Sequence, residues 1–211
     1  MKTILCFGDS NTYGSNPADS SRFGHETRWP GFLRKIIQRD WWIIEEGCGG
    51  RTTVIDDPLE PHKNGAAYLP ACLNSHKPID LVILLLGTND LKERFGVEPR
   101  EIAWNAGILV DLCRNSASGP EGSSPLVLLV APPPLAPLAG TKFETMFRGG
   151  EEKSLRLGYE FSIIAKAKNC PFLDLNGVVT SSPMDGIHWE EPEHAKLAQA
   201  VAKKILELFP S

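Results

Sequence analysis

Short runs of consecutive apolar residues alternate along the chain with longer stretches in which apolar positions recur every three or four residues. The runs 3–7, 41–45, 81–86, 126–131 and 171–175 predict strands. Two of them, LVILLL at 81–86 and LVLLV at 126–130, are apolar throughout, the pattern of central strands covered on both faces. The amphipathic stretches 29–38, 66–76, 99–114, 151–168 and 192–209 predict helices between them. Five successive β-α units predict an α/β fold, a three-layer α/β/α sandwich around a five-stranded parallel sheet in the flavodoxin-like order 2-1-3-4-5. No repeat, low-complexity tract or shift in composition marks a linker, so residues 1–211 read as one domain.

Three connections, 12–28, 54–65 and 132–150, are longer than connectivity requires. Loops that leave the carboxyl ends of parallel strands form the ligand crevice, so the first and third are expected to wall a site. Trp29, Leu135, Phe143, Met146 and Phe147 are the candidate apolar liners. The proline-rich start of the third loop, Pro132 to Pro137, is stiff. It can narrow a pocket, or serve as a contact between subunits.

Composition then excludes several classes. The 22 Lys+Arg against 26 Asp+Glu give a net charge of −4, scattered along the chain, with no basic run carrying the footprint of a nucleic-acid surface. No segment reaches the roughly 18 apolar residues needed to span a bilayer. The apolar run at the N-terminus stops at Phe7, too short for a signal-peptide core, so a cytoplasmic protein is expected. Cys6, Cys48, Cys72, Cys113 and Cys170 are odd in number and widely spaced, without Cys-x-x-Cys. That fits buried reduced thiols better than a disulfide framework or a zinc site.

Four segments offer chemistry. Strand 3–7 runs into Gly8-Asp9-Ser10, which puts Ser10 at the crevice as a candidate nucleophile, although Asp and Ser also serve as cap residues. After the second strand, Gly47-Cys48-Gly49-Gly50 allows close backbone approach and aims N–H groups at an anion, or is a plain tight turn. It lacks the Gly-Lys-Ser/Thr of a Walker loop. The third strand ends in Gly87-Thr88-Asn89-Asp90, where Asn89 is either an amide donor for an oxyanion or a helix cap. Near the C-terminus, Asp185 and His188 stand three apart, a spacing that lets the carboxylate fix the imidazole tautomer. His194 shares a stripe with Leu197, Val201, Ile205 and Leu208, so it reads as a packed helix residue. His25, His62 and His76 have no comparable partner and read as solvated or structural. Together the four segments supply what acyl transfer needs.

In this order, Gly8-Asp9-Ser10, Gly50, Gly87-Thr88-Asn89-Asp90 and Asp185-x-x-His188 resemble the blocks of the SGNH hydrolases, also called the GDSL esterase family. The likeness runs nearly end to end. Further stretches, among them Glu45-Glu46-Gly47, Arg51-Thr52-Thr53, Asp56-Asp57-Pro58 and Gly149-Gly150-Glu151, resemble its arylesterase-like acyltransferase/perhydrolase branch.

The resemblance implies Ser10 as nucleophile, His188 as general base and acid, and Asp185 as its orienter. It also implies an oxyanion hole from the N–H groups of Ser10 and Gly50 and the Asn89 amide, with no metal or other cofactor. The implied activity is hydrolysis of small acyl or aryl esters through an acyl-serine, with acyl transfer or perhydrolysis as a side activity. The implied partners are a small-molecule ester and further copies of the chain, with no nucleic acid and no membrane. The rivals are a carbohydrate acetylesterase or a thioesterase/lysophospholipase on the same fold and, from another class, a non-catalytic flavodoxin-like binding module. One position departs from the family pattern: Asn11 stands where Leu usually follows the nucleophile.

Overall fold

A computed structural model describes residues 1–37 and 41–210. Strands β1 (Lys2–Gly8), β2 (Trp41–Gly47), β3 (Leu81–Leu85), β4 (Leu126–Ala131) and β5 (Phe172–Asp174) form one parallel sheet in the order β2-β1-β3-β4-β5. This is the expected α/β topology. Helices α1 (Ser10–Tyr13), α2 (Trp29–Ile37), α3 (Gly65–His76), α4 (Pro99–Arg114), α5 (Gly150–Ser154), α6 (Leu157–Ala167) and α7 (Glu191–Leu208) connect and cover it.

The two-residue period of each strand divides the core. Leu5, Phe7, Val82, Leu84, Val127 and Leu129 pack under α3, α4 and α6, against Leu69, Ile102 and Phe161. Ile4, Cys6, Leu81, Ile83, Leu85, Leu128 and Val130 pack on the other face, under α2 and α7, against Trp29, Leu33 and Val201. Each fully buried Leu or Ile stabilises the fold by about 1.5–3 kcal/mol, so the continuously apolar β3 and β4 anchor both layers.

The structure corrects the expected helix 151–168, which is two helices separated at Leu155 and Arg156. The Ser154 hydroxyl donates to the Glu151 carbonyl at 2.6 Å and accepts the Leu135 N–H at 2.9 Å. The serine thereby competes for the helix carbonyl and draws the turn toward the 132–150 loop. Helix α2 is described as far as Ile37, and the expected end at Gln38 lies outside the described residues.

β2 ends at Gly47, where a Cβ would stand 2.1 Å from the Tyr13 nitrogen. Only glycine lets α1, which begins with Ser10, lie against the end of β2. Asp9 caps α1 by accepting the Asn11 N–H at 2.9 Å.

His194 is fully buried on α7, on the expected stripe with Leu197, Val201 and Ile205. Its Nδ1 accepts the Trp29 N–H at 3.3 Å, and the rings of Phe23 and Trp189 flank it. Burial, with a smaller contribution from His188, pushes its pKa from 6.5 down to about 4. The unfolded chain therefore binds a proton that the folded chain refuses between those values, and stability falls as pH drops through that window. Replacing His194 with Gln removes this contribution. Denaturant titrations should show the wild type losing stability relative to His194→Gln as pH falls from 6.5 toward 4, and equal slopes for the two proteins would contradict the assignment.

Candidate active site

The carboxyl ends of β1, β2 and β3 open into a cavity of about 330 Å³. Ser10, Gly50, Asn89 and His188 all line it, so the four separate segments of the sequence meet there. A larger hollow of about 500 Å³ lies at the opposite end of the sheet, between Lys2, Trp41 and the end of α7, and contains none of these groups.

The histidine is the most tightly built member. His188 Nδ1 donates to Asp185 Oδ2 at 2.6 Å, while Asp185 Oδ1 accepts the N–H groups of Ile187 and His188 at 3.0 and 2.9 Å. Burial would raise the Asp185 pKa, but the imidazole and the two N–H groups outweigh it and hold the carboxyl below its ordinary value. With Nδ1 engaged, Nε2 is the free ring nitrogen on the cavity side. The turn around it is fixed by Ser182 N–H to the His188 carbonyl (2.8 Å) and Ala136 N–H to the Gly186 carbonyl (2.9 Å). Gly186 has φ +82°, and a Cβ there would meet Leu138.

Ser10 faces the cavity from the first turn of α1. No hydrogen bond joins its Oγ to His188 among the described residues, although both line the same cavity. Asp9, beneath it, is fully buried. Burial raises its pKa to about 6, partly offset by the Asn11 N–H and by the charges of His188 and Arg51.

The glycine loop is bound to the end of β3. Asn89 Nδ2 donates to the Arg51 carbonyl at 3.1 Å, which leaves the second N–H of the amide free. Asp90 accepts the Thr53 N–H at 3.0 Å and also the Thr53 hydroxyl. Gly50 has φ +79°, and a Cβ there would stand 2.6 Å from Glu60 Oε2. Gly50 is therefore held in a backbone region that favours glycine, with the movable end of the Glu60 side chain beside it.

Phe143, Met146 and Phe147 from the 132–150 loop form the apolar wall, as expected, and Phe143 lies edge-on to His188 at 5.7 Å. Two expected liners do not reach the cavity. Trp29 is buried in the α2/α7 layer with its Nε1 donating to Thr12 Oγ1, and Leu135 packs into the opposite layer. Asn11 is buried beside Ser10, and its Nδ2 donates to the Ile187 carbonyl at 3.4 Å, linking the serine turn to the histidine turn.

The polar wall was read from the sequence only as the 12–28 loop, without its individual residues. It consists of Ser15, Ser20, Glu60 and Lys92. Lys92 is almost fully buried and donates to Asp57 Oδ2 at 3.2 Å and Glu60 Oε1 at 2.7 Å. Arg94 bonds the same two carboxylates. Burial acts to raise the Asp57 pKa, but Arg94, the Leu59 N–H and Lys92 outweigh it and bring it to about 2. Lys92 stands two residues after Asp90 in the charged run Lys92-Glu93-Arg94, which reads as a solvated segment, so the sequence carried no distinct signal for its burial.

Chemistry and likeness point the same way: the protein is a serine ester hydrolase. The model of the GDSL-like lipase/acylhydrolase family matches residues 6–195, and the chain belongs to this family. The chain is 43% identical to the M. smegmatis aryl esterase, over 99% of this chain and 100% of that one, with a TM-score of 0.94. A carbohydrate acetylesterase from Sinorhizobium meliloti is 42% identical over the same shares, with a TM-score of 0.94. A second carbohydrate acetylesterase family member from Sinorhizobium meliloti is 35% identical over 99% of each chain, with a TM-score of 0.93. No curated protein sequence matches the chain.

Removing the Asp57 charge leaves Lys92 buried with one fewer partner. Asp57→Asn should lower the unfolding free energy by about 3–5 kcal/mol. Adding Lys92→Met should recover part of it, as urea unfolding would show. A neutral Asp57→Asn would contradict the network.

Proposed function

We propose that Ser10 is the nucleophile, His188 the general base and acid, and Asp185 its orienter. The observation that carries this reading is the Asp185–His188 pair, which commits Nδ1 and leaves Nε2 on the cavity that Ser10 lines. Nε2 takes the hydroxyl proton as Oγ attacks the ester carbonyl. The oxyanion that forms meets the N–H groups of Ser10 and Gly50 and the free N–H of Asn89. Collapse expels the alcohol, protonated by His188, and leaves an acyl-serine. Water then repeats the sequence to release the acid, or an alcohol or hydrogen peroxide intercepts the acyl group.

A cavity of about 330 Å³ with one aromatic wall suits small acyl and aryl esters. The polar wall of Ser15, Ser20, Glu60 and Lys92 favours a second reading, an acetylated sugar whose hydroxyls those groups would hold. The likeness to both an aryl esterase and a carbohydrate acetylesterase supports keeping the two together. Five free cysteines suit a reducing compartment, which supports a cytoplasmic enzyme, and no helix of the described residues is long and apolar enough to cross a membrane. Assembly into homo-oligomers belongs to the same reading.

Asp185→Asn should reduce kcat by about 10⁴ with the fold retained. Asn89→Ala should cost about 2.7–4 kcal/mol in the chemical step. Rates within a few-fold of wild type would remove either residue from its role. Turnover of p-nitrophenyl acetate, an acetylated xylose and a short acyl-CoA by wild type and Ser10→Ala decides the substrate class. The expected result is a fast aryl acetate or acetyl-sugar reaction that Ser10→Ala abolishes. Acyl-CoA alone as substrate, or turnover that survives Ser10→Ala, would overturn the reading.

A further inference from the structure

Outside the cavity, at the edge of the sheet, β2 and α3 bring together three chemically different metal donors. Cys72 and His76 stand one turn apart on α3, and Glu46 faces them from the end of β2. Cys72 Sγ, a ring nitrogen of His76 and a carboxylate oxygen of Glu46 all lie within 4.8 Å of one another. Nε2 of His76 is 2.9 Å from Glu46 Oε1. Tyr68, one turn earlier on the same helix face, donates its hydroxyl to Glu46 Oε2 at 3.3 Å. The thiol side is buried, while imidazole and carboxylate are partly exposed, so an ion can enter from solvent and meet sulfur on the inner wall.

We propose that Glu46, Cys72 and His76 form a binding site for a zinc-class divalent cation. The fourth position is left to water or the Tyr68 hydroxyl. Zinc binds sulfur at about 2.3 Å and nitrogen or oxygen at about 2.0–2.2 Å, which puts tetrahedral ligands about 3.5 Å apart. The observed spacing reaches that by small rotamer changes. A mixed sulfur, nitrogen and oxygen set suits zinc and its neighbours, whereas magnesium and calcium take oxygen ligands. On binding, the Cys72 thiol gives its proton to solvent and its thiolate pair to the metal. To bind through Nε2 the imidazole gives up its bond to Glu46 and releases the Nε2 proton to solvent, with Nδ1 carrying the ring's remaining proton.

The bound ion would cross-link β2 to α3. These elements flank the glycine loop, and the Arg51 guanidinium lies over the Tyr68 ring at 5.2 Å.

The test is titration of the metal-free enzyme with Co²⁺ at mildly alkaline pH, followed by Zn²⁺. One Co²⁺ per chain should bind with a thiolate-to-cobalt absorption that Zn²⁺ displaces, and Zn²⁺ should raise the melting temperature. Cys72→Ser should abolish the absorption, and Cys48→Ser, at the one partly exposed cysteine, should keep it. His76→Ala and Glu46→Gln, at the solvent side, should each weaken binding by about tenfold or more and remove the zinc-dependent rise in melting temperature. Absence of the thiolate absorption, or its survival in Cys72→Ser, overturns the site. If Cys72→Ser does not fold, unchanged affinity in both His76→Ala and Glu46→Gln overturns it equally.

Discussion

The carboxyl ends of β1 and β2 are held together by one guanidinium. Arg51 Nη1 donates to the Gly8 carbonyl at 3.0 Å and to the Glu46 carbonyl, with its plane over the Phe7 ring at 4.2 Å. The Gly8 carbonyl also accepts the Cys48 N–H at 3.1 Å, so Arg51 adds a second bond there, and losing a buried carbonyl's partner costs about 1–3 kcal/mol. Arg51 bonds both carbonyls from the residue directly after Gly50, so the turn that carries the Gly50 N–H is tied to the ends of β1 and β2. Its own carbonyl accepts the Asn89 amide, which carries the connection on to β3. Ser10, Gly50 and Asn89 are thus placed by one continuous set of bonds through the buried Arg51 side chain.

The acids below the cavity show how surroundings separate identical side chains. Asp9 and Asp90 are both raised to about 6, with burial as the leading cause in each, and Asp9 raises Asp90 further. Asp185 is also buried but moves the other way, because a cation-capable imidazole and two N–H groups face it. A carboxylate that stays ionised is the one suited to orient a histidine. Asp9 and Asp90 instead hold backbone, through the Asn11 N–H and the Thr53 N–H.

Much of this architecture was legible in the residues. Continuously apolar 81–86 and 126–130 announced central strands, and the motifs at strand ends announced which loops would converge. The break between α5 and α6 was not legible, because the amphipathic spacing continues through Leu155 and Arg156 while a serine hydroxyl redirects the chain. Trp29 and Leu135 misled for a related reason: a large apolar side chain near a crevice fits the core as well as the wall, and the core buries more of it. Lys92 escaped notice since lysines are usually solvated, and its burial depends on Asp57 and Glu60, more than thirty residues earlier. Glu46 stands 26 residues before Cys72, so their meeting depends on how α3 returns over β2.

Covalent chemistry at Ser10 is the centre of the proposed reaction. The most direct measurement is peptide mass mapping after reaction with an aryl-ester-like fluorophosphonate, which phosphonylates an activated serine and stays attached. A single adduct on the peptide bearing Ser10, formed in step with loss of esterase activity, is the predicted result. Inactivation with the label on another residue, or full activity with Ser10 labelled, would contradict it.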